Sequence, residues 1–318
     1  MDLEVFFAGT AGSVPTGRRG MPALLVRRGG ERILFDCGEG TQRQLVSSIG
    51  LADLDAVFLT HFHLDHWLGI PGLLKTFALR DRDRPLTIHG PPGLTNLMGM
   101  LRPIVGKLAY ELRLVELEAG EPVPGDGYAI APFRVEHRSP RAFGYAVVED
   151  ERPGEFDPVQ AQRLGVRPGP DFGRLQRGET VDAVVPDQVM GPPRAGRKVV
   201  ISGDTAPSDA VRVAAHQADL LVHEATFLEE EIVRAAETGH STARQAAEIA
   251  AGADVRMLAL VHLSTRYLAR DVRDEARATF ANTVIPHDFD AVEVRFPERG
   301  EPRLIRWDER EPAAVEAS

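Results

Sequence analysis

The sequence has one cysteine, Cys37, in 318 residues. No intrachain disulfide can form, which fits a reducing compartment and leaves the fold to its core alone. Long apolar runs are also missing. No stretch approaches the roughly 20 residues that a membrane-spanning helix needs. The opening Met1-Asp2-Leu3-Glu4-Val5-Phe6-Phe7 lacks the basic start and long apolar run of a secretory leader. A cytoplasmic protein with no membrane partner is expected. Positive charge is short as well: 37 Lys and Arg against 47 Asp and Glu leave a net charge of −10. That balance argues against indiscriminate nucleic-acid binding, although a local basic patch or bound cations can override it. What is present is ordinary for a soluble globular chain, with 43% hydrophobic and 26% charged residues. A chain this long can bury a large core, as two modest domains or one large α/β domain.

Short strand-like and helix-like segments alternate along it. Leu3–Ala8, Arg32–Phe35 and Ala56–Thr60 read as strands, and Gly40–Ser48 as a helix. Further strands are expected at Leu86–His89, Tyr128–Glu136, Phe143–Glu149, Lys198–Ile201, Leu220–His223 and Leu258–Val261. Helices are expected at Gly93–Leu101 and Ser241–Ala251. Polar clusters follow the strands, where an α/β sandwich places functional groups. Glu151–Gln188 is rich in Pro, Gly and Arg and follows neither period. The expectation is one α/β domain over 1–307 with a protruding insert at about 151–188. An acidic, Ala-rich tail over 308–318 is expected to be disordered.

The densest chemistry is His61-Phe62-His63-Leu64-Asp65-His66, directly after the strand at Ala56. In extended chain, residues two apart point the same way, so His61 and His63 can face one metal while Phe62 and Leu64 pack behind. Asp65 and His66, where the chain turns toward a helix, can face a second. Imidazoles and a carboxylate suit zinc, and two metals roughly 3.5–4 Å apart can clamp a phosphodiester. Six residues cannot complete two metal shells. Candidates at other strand ends are His137, Asp204 and His262. Taken singly, His137 could be a loop histidine, Asp204 a helix N-cap and His262 a strand-end core residue. Together they supply what the cluster lacks.

With these residues the chain resembles the metallo-β-lactamase superfamily, and within it the short form of ribonuclease Z. The motifs Phe6-Phe7-Ala8-Gly9-Thr10, Phe35-Asp36-Cys37-Gly38-Glu39 and Leu59-Thr60-His61 look like that family's opening motifs and the lead into its metal motif. Ser202-Gly203-Asp204-Thr205, His223-Glu224-Ala225-Thr226, His240-Ser241-Thr242 and His262-Leu263-Ser264-Thr265-Arg266-Tyr267 follow in the family's order. The resemblance implies an αβ/βα sandwich with a substrate-binding arm. It implies two zinc ions per subunit, one held by His61, His63, His137 and Asp204, the other by Asp65, His66, Asp204 and His262. Asp65 would orient and deprotonate the attacking water. His240, oriented by Glu224, would stabilise the phosphate or protonate the leaving oxygen. Ser241, Thr242 and Arg266 would face the substrate. Asp204-Thr205 and Glu224-Ala225-Thr226 also offer acceptors for histidine N–H groups behind the ligands.

The insert resembles the family's arm over Arg163–Leu175, with Gly169-Pro170 as its Gly-Pro motif. Arg163, Arg167, Arg174 and Arg177 make this stretch locally positive, with Asp171 as the only acid among them. Arginines suit phosphate contacts that position RNA by shape. The resemblance implies precursor tRNA as substrate and a homodimer in which one subunit's arm serves the other's active site. The expected activity is removal of the tRNA 3′ trailer, leaving a tRNA 3′-hydroxyl and a trailer 5′-phosphate. Two alternatives stay open at this point. One is another hydrolase of the fold, acting on small or cyclic phosphodiesters, aryl sulfates or lactones. The other is a non-catalytic RNA-binding protein.

Other features read more plainly. Gly9–Ser13 lacks the Lys and spacing of a nucleotide loop, so no nucleotide cofactor is expected and it reads as a turn beside the active site. Arg18 and Arg19 could meet RNA or solvent. Cys37 reads as a small buried residue. His89, His216 and His287 read as structural or surface residues. Arg80, Arg82 and Arg84, alternating with Asp81 and Asp83, read as a solvated charge run.

Overall fold

The computed structural model of the protein describes residues 1–51, 53–139 and 141–309. In chain order its strands are β1 (Leu3–Gly9), β2 (Ala23–Arg28), β3 (Glu31–Phe35), β4 (Ala56–Phe58), β5 (Leu86–Gly90), β6 (Leu112–Glu116), β7 (Val123–Pro124), β8 (Tyr128–Arg134), β9 (Phe143–Glu149), β10 (Lys198–Ile201), β11 (Leu220–Glu224), β12 (Leu258–Val261), β13 (Thr283–Val284), β14 (Ala291–Glu293) and β15 (Arg303–Ile305). They form two sheets, ordered β15-β14-β1-β2-β3-β4-β5-β6 and β13-β12-β11-β10-β9-β8-β7.

Strand alternation builds the layers. In β1, Val5 and Phe7 turn between the sheets, against Phe35, Phe58, Tyr145, Ile201 and Val222. Phe6 and Ala8 turn the other way, onto Leu73, Leu74 and Phe77 of the helix Ile70–Leu79. Both faces are covered, which is why β1 is nearly all apolar. On the far side, Val200, Leu221, Leu258 and Leu260 lie under Ala243, Ala246, Ala247 and Ala250 of the helix Ala243–Gly252. The result is helix, sheet, sheet, helix: the αβ/βα sandwich of the metallo-β-lactamase fold. Among the described residues, no helix is long and apolar enough to cross a membrane.

Strand direction places the chemistry. β3 to β6 run parallel, as do β10 to β13. β8 is antiparallel to β9, which is antiparallel to β10, so β8 shares the direction of β10. Asp36, the His61 cluster, His137, Asp204, Glu224 and His262 therefore sit at strand carboxyl ends, where α/β sheets gather ligand sites. β9 runs the opposite way. It starts at Phe143, whose N–H meets the Thr60 carbonyl at 2.9 Å, and ends six residues later at Glu149. The insert leaves from that far end, roughly 20 Å from the cluster at about 3.3 Å per residue.

The insert has structure that its sequence hides. It holds the helices Pro158–Arg163 and Pro170–Gln176 around a small core of Ala161, Val166, Leu175, Val181, Val184 and Val189. Helices of six and seven residues are too short to imprint a period. The pairings Arg152↔Arg194 and Phe156↔Met190 close its base, so it extends beyond Gln188. Gly169 has φ 151° and starts the second helix with Pro170 at its first position.

Several expectations change. The strand at Ala56 stops at Phe58, not Thr60. The helix at Leu94 runs on to Val105. β2, β6 and the helix Ile70–Leu79 were not read from the sequence. Arg82 is not solvated. It is 5% exposed, donates to the Leu54 and Pro85 carbonyls at 2.8 Å, and lies over the Phe77 and Tyr110 rings. Arg19 donates to Thr10 Oγ1 and the Pro286 carbonyl, which ties it to the fold. Of the expected tail, Asp308 and Glu309 belong to a short turn with Trp307, and the rest lies outside the described residues. Cys37 is buried, and burial pushes its thiol up to about 12.

Candidate metal centre and active site

The residues singled out at strand ends converge. Ring nitrogens of His61, His63 and His137 lie within 4.8 Å of one another, and so do ligand atoms of Asp65, His66, Asp204 and His262. Asp204 stands between the groups: its Oδ2 is 3.3 Å from His66 Nε2, 3.3 Å from His262 Nε2 and 3.9 Å from His61 Nε2. Asp65 Oδ2 is 3.4 Å from His262 Nε2 and 3.5 Å from His66 Nε2.

What stands behind the rings fixes which nitrogen is bare. Asp36 Oδ2 accepts from His66 Nδ1 at 2.7 Å. The Thr60 hydroxyl donates to Asp36 at 2.9 Å and so accepts from His61 Nδ1 at 3.0 Å. The Gly239 carbonyl accepts from His137 Nδ1 at 2.7 Å. The Thr226 hydroxyl donates to Glu224 Oε2 at 2.6 Å and so accepts from His262 Nδ1 at 2.8 Å. Each ring thus spends its proton outward and turns a lone pair inward. His61 Nε2 and His66 Nε2 are buried and have no hydrogen-bond partner among the described residues. His137 Nε2, with its lone pair inward, faces His63 Nδ1 at 3.1 Å. Buried lone pairs facing carboxylates and each other are stable only around cations, so the donor set fits divalent metal.

Backbone strain supports this aim. Asp36 and His262 adopt left-handed φ of 58° and 57°, a conformation that costs a non-glycine residue roughly 1–3 kcal/mol and persists where surroundings enforce it. Gly12, in the turn suspected of lying beside the site, packs on His262: a Cβ there would sit 3.3 Å from its carbonyl. Gly239, at φ 74°, ends the helix Ile232–Thr238 and presents its carbonyl to His137.

Beside the centre, Glu224 Oε1 holds His240 Nδ1 at 2.7 Å. Glu224 is buried and also accepts from the Thr205 and Thr226 amides at 3.0 and 3.1 Å. Burial lowers the His240 pKa, but the charge and hydrogen bond of Glu224 outweigh it and raise the imidazole to about 9. Burial likewise opposes protonation of His66, yet Asp204 and Asp36 push it well above its ordinary value. The protons concerned compete with cations for the same lone pairs.

Three expectations need correction here. Ser241 and Thr242 are fully buried and their hydroxyls are occupied. Ser241 donates to the Thr205 carbonyl at 2.7 Å, while Thr242 caps the helix Ala243–Gly252 in a reciprocal box with Gln245. They present His240 and do not face substrate. Thr205 gives its amide to Glu224 and accepts from no histidine. Arg266 is exposed at the rim of a cavity of about 430 Å³ that His240, Ser13 and Arg234 also line, with its guanidinium on Glu231 at 2.8 Å.

The arm residues Arg163, Arg167, Gly169, Pro170 and Arg174 all lie in the insert, away from the centre. Arg163 and Arg167 are exposed and, among the described residues, in no ion pair. Arg174 is held by Asp171 at 3.1 Å and by Glu179 at 3.0 Å, and Glu179 also meets Arg177. The stretch is therefore less positive than its arginines alone suggest. Asp36, Thr60 and Gly239 are functional supports to which the sequence reading gave no role. A lone Asp directly after an apolar strand was the available signal for Asp36.

An αβ/βα sandwich with a His/Asp centre at its strand ends defines a hydrolase of the metallo-β-lactamase superfamily, and residues 17–93 match the model of that superfamily. Membership implies divalent metal binding. The chain is 46% identical to the ribonuclease Z of Halorubrum lacusprofundi, over 95% of this chain and 100% of that protein. It is 48% identical to the ribonuclease Z of Gemmatimonas aurantiaca, over 94% and 98% respectively. The crystal structure of human tRNase Z, short form, superposes with a TM-score of 0.67 at 27% identity, covering 92% of this chain and 100% of that one. The chain belongs to the ribonuclease Z family.

Proposed function

We propose that the protein removes the 3′ trailer from precursor tRNA at a two-zinc centre, leaving a 3′-hydroxyl on the tRNA and a 5′-phosphate on the trailer. Family membership makes it a tRNA 3′-processing endoribonuclease, a phosphodiester hydrolase. The metal, its count and the products are our reading. The observation that carries it is the ordered donor set: the outward N–H groups of His61, His66, His137 and His262 are accepted, and inward lone pairs are left beside Asp65 and Asp204.

In this reading His61, His63, His137 and Asp204 hold one ion, and Asp65, His66, Asp204 and His262 the other. Bound there, divalent cations supply Lewis acidity and a water activated near neutral pH. The side chains do the rest. Asp65 lies beside His262 and His66, placed to orient the attacking water and take its proton. His240, kept protonated by Glu224, offers a positive donor to the phosphate and a proton to the leaving oxygen.

The arm binds the tRNA body through Arg163 and Arg167, with Arg174 shaping its loop. The arm grows from the strand ends opposite the centre, which favours a homodimer in which it serves the other subunit; we read the enzyme as cytoplasmic. The deciding experiment is incubation with end-labelled precursor tRNA, mapping the cut, with Asp65→Ala as control. A single cut 3′ of the tRNA body, lost in Asp65→Ala, is expected. Loss of residues 163–175 should abolish precursor cleavage and spare a chromogenic phosphodiester. Unchanged precursor cleavage after that deletion would show that the arm is not the substrate anchor.

A further inference from the structure

We propose that Glu298 is a positioning residue that sets the direction of the arm by clasping both crossings of the chain into it. This rests on the tRNA-processing reading above. The chain enters the arm at Arg152 and leaves at Arg194, and the two main chains exchange hydrogen bonds of 2.7 and 2.9 Å. Past this bridge the two chains pair again, the Gly191 N–H on the Glu155 carbonyl at 2.8 Å and the Asp157 N–H on the Val189 carbonyl at 2.7 Å, so the arm and its base can swing as one narrow two-chain ribbon. Glu298 removes that freedom. It lies in the turn Pro297–Arg299, between β14 and β15 of the other sheet. Its carboxylate takes Arg152 through both terminal nitrogens, at 2.6 and 3.3 Å, and Arg194 at 3.4 Å. A forked guanidinium–carboxylate pair has a direction as well as an attraction.

The clasp is backed by a fixed stack. Phe296 lies against two guanidinium groups, with Arg152 Cζ 3.6 Å and Arg197 Cζ 4.2 Å from its ring centroid. Arg197 is itself buried and held by Glu149 at 2.7 and 2.8 Å, the Val294 carbonyl at 3.1 Å and the Met1 carbonyl at 2.9 Å. From this buried anchor, the order Glu149, Arg197, Phe296, Arg152, Glu298, Arg194 leads outward to the base of the arm. The arm grows from one sheet, and the stack ties it to the other. Arg152 and Glu298 have side chains 22% and 41% exposed. Solvated pairs contribute little to global stability, so this one acts through geometry.

The test uses full-length Glu298→Lys, which repels both arginines, and the double variant Arg152→Glu/Glu298→Lys. Steady-state cleavage of precursor tRNA is compared with hydrolysis of bis(p-nitrophenyl) phosphate. For Glu298→Lys, KM for the precursor should rise roughly three- to tenfold, a fraction of the hundredfold that a misplacement of about 1 Å can cost. The kcat and the small-diester rate should stay unchanged, and the double variant should recover most of the KM. Hydrogen exchange should quicken at the Arg152 and Arg194 amides and stay slow at Ala161 and Leu175. An unchanged KM with unchanged exchange overturns the clasp. So does a parallel fall in both activities, which marks general damage. A wild-type protein that cleaves no precursor overturns the tRNA reading instead, and the exchange comparison then still decides the clasp.

Discussion

Asp36 touches no metal in the proposed centre, yet it decides what His66 can do. Its carboxylate accepts from His66 Nδ1 and from the amide and hydroxyl of Thr60, and Thr60 in turn accepts from His61. One acid thus sets the tautomer of two ligands. Replacing it with Ala should weaken metal binding roughly tenfold to hundredfold. Competition against a chelating dye measures this, and wild-type affinity in the variant would refute the role. Glu224→Gln tests the neighbouring pair. It removes the charge that raises His240 to about 9, and kcat on precursor tRNA should fall on the order of a hundredfold while metal content holds. At this scale the sequence was most legible in the ligands. Three histidines and an aspartate within six residues admit few other meanings. The supports were less legible because Thr60 and Gly239 acquire their roles only when distant strand ends meet. Ser241 and Thr242 were misread for the same reason: sequence shows hydroxyls beside His240, and only packing shows that both are used.

At the scale of elements, the long apolar strands could be read, and β9, β10 and β12 fall where their composition placed them. Two-residue strands such as β7 and β13, and the arm's short helices, carry too few residues to show a period. Charge was harder to read than apolarity. Nothing in the sequence separates Arg82, buried under three carbonyls, from the solvated Arg84. Nor does it mark Glu149, which joins β9 to β2 through Arg28 at 2.9 Å and to Arg197, the residue before β10, at 2.7 Å. Burial works against the Glu149 carboxylate, but the Arg197 and Arg28 contacts outweigh it and hold its pKa below the ordinary value. The stability it contributes is therefore complete above the usual carboxylate range, near pH 4.3, and is lost as pH falls through the lowered folded value. Glu149→Gln should destabilise the metal-free protein by about 3–5 kcal/mol at neutral pH, because it strands two buried guanidinium groups. Urea titrations at descending pH should show the difference between wild type and variant narrowing below about pH 4. A gap that stays constant with pH would mean that the charge of Glu149 is not what matters.

For the whole molecule, the informative fact is that one strand connects centre and arm end to end. β9 starts beside Thr60 and, over its seven residues, delivers the chain to the arm. In the proposed dimer, an arm at that distance serves the centre of the second copy. Mixing Asp65→Ala subunits with subunits lacking residues 163–175 should therefore restore precursor cleavage that neither parent shows. If the mixture stays inactive although the subunits exchange, each arm serves its own centre. That strands on both sides of the insert share one sheet could be argued from sequence, because polar clusters end strands on both sides of it. The direction in which the insert leaves could not, since it depends on β9 running against its neighbours.

The pairing of Arg152 with Arg194 has a consequence for how such a protein changes over time. The chain leaves the sheet and returns through one gate, with a small core of its own beyond it. Insertions or exchanges past that gate alter no strand register and, because loop-closure cost rises slowly with length, disturb the host little. On the proposed function, cutting chemistry and choice of substrate lie in separate, independently revisable parts of one chain.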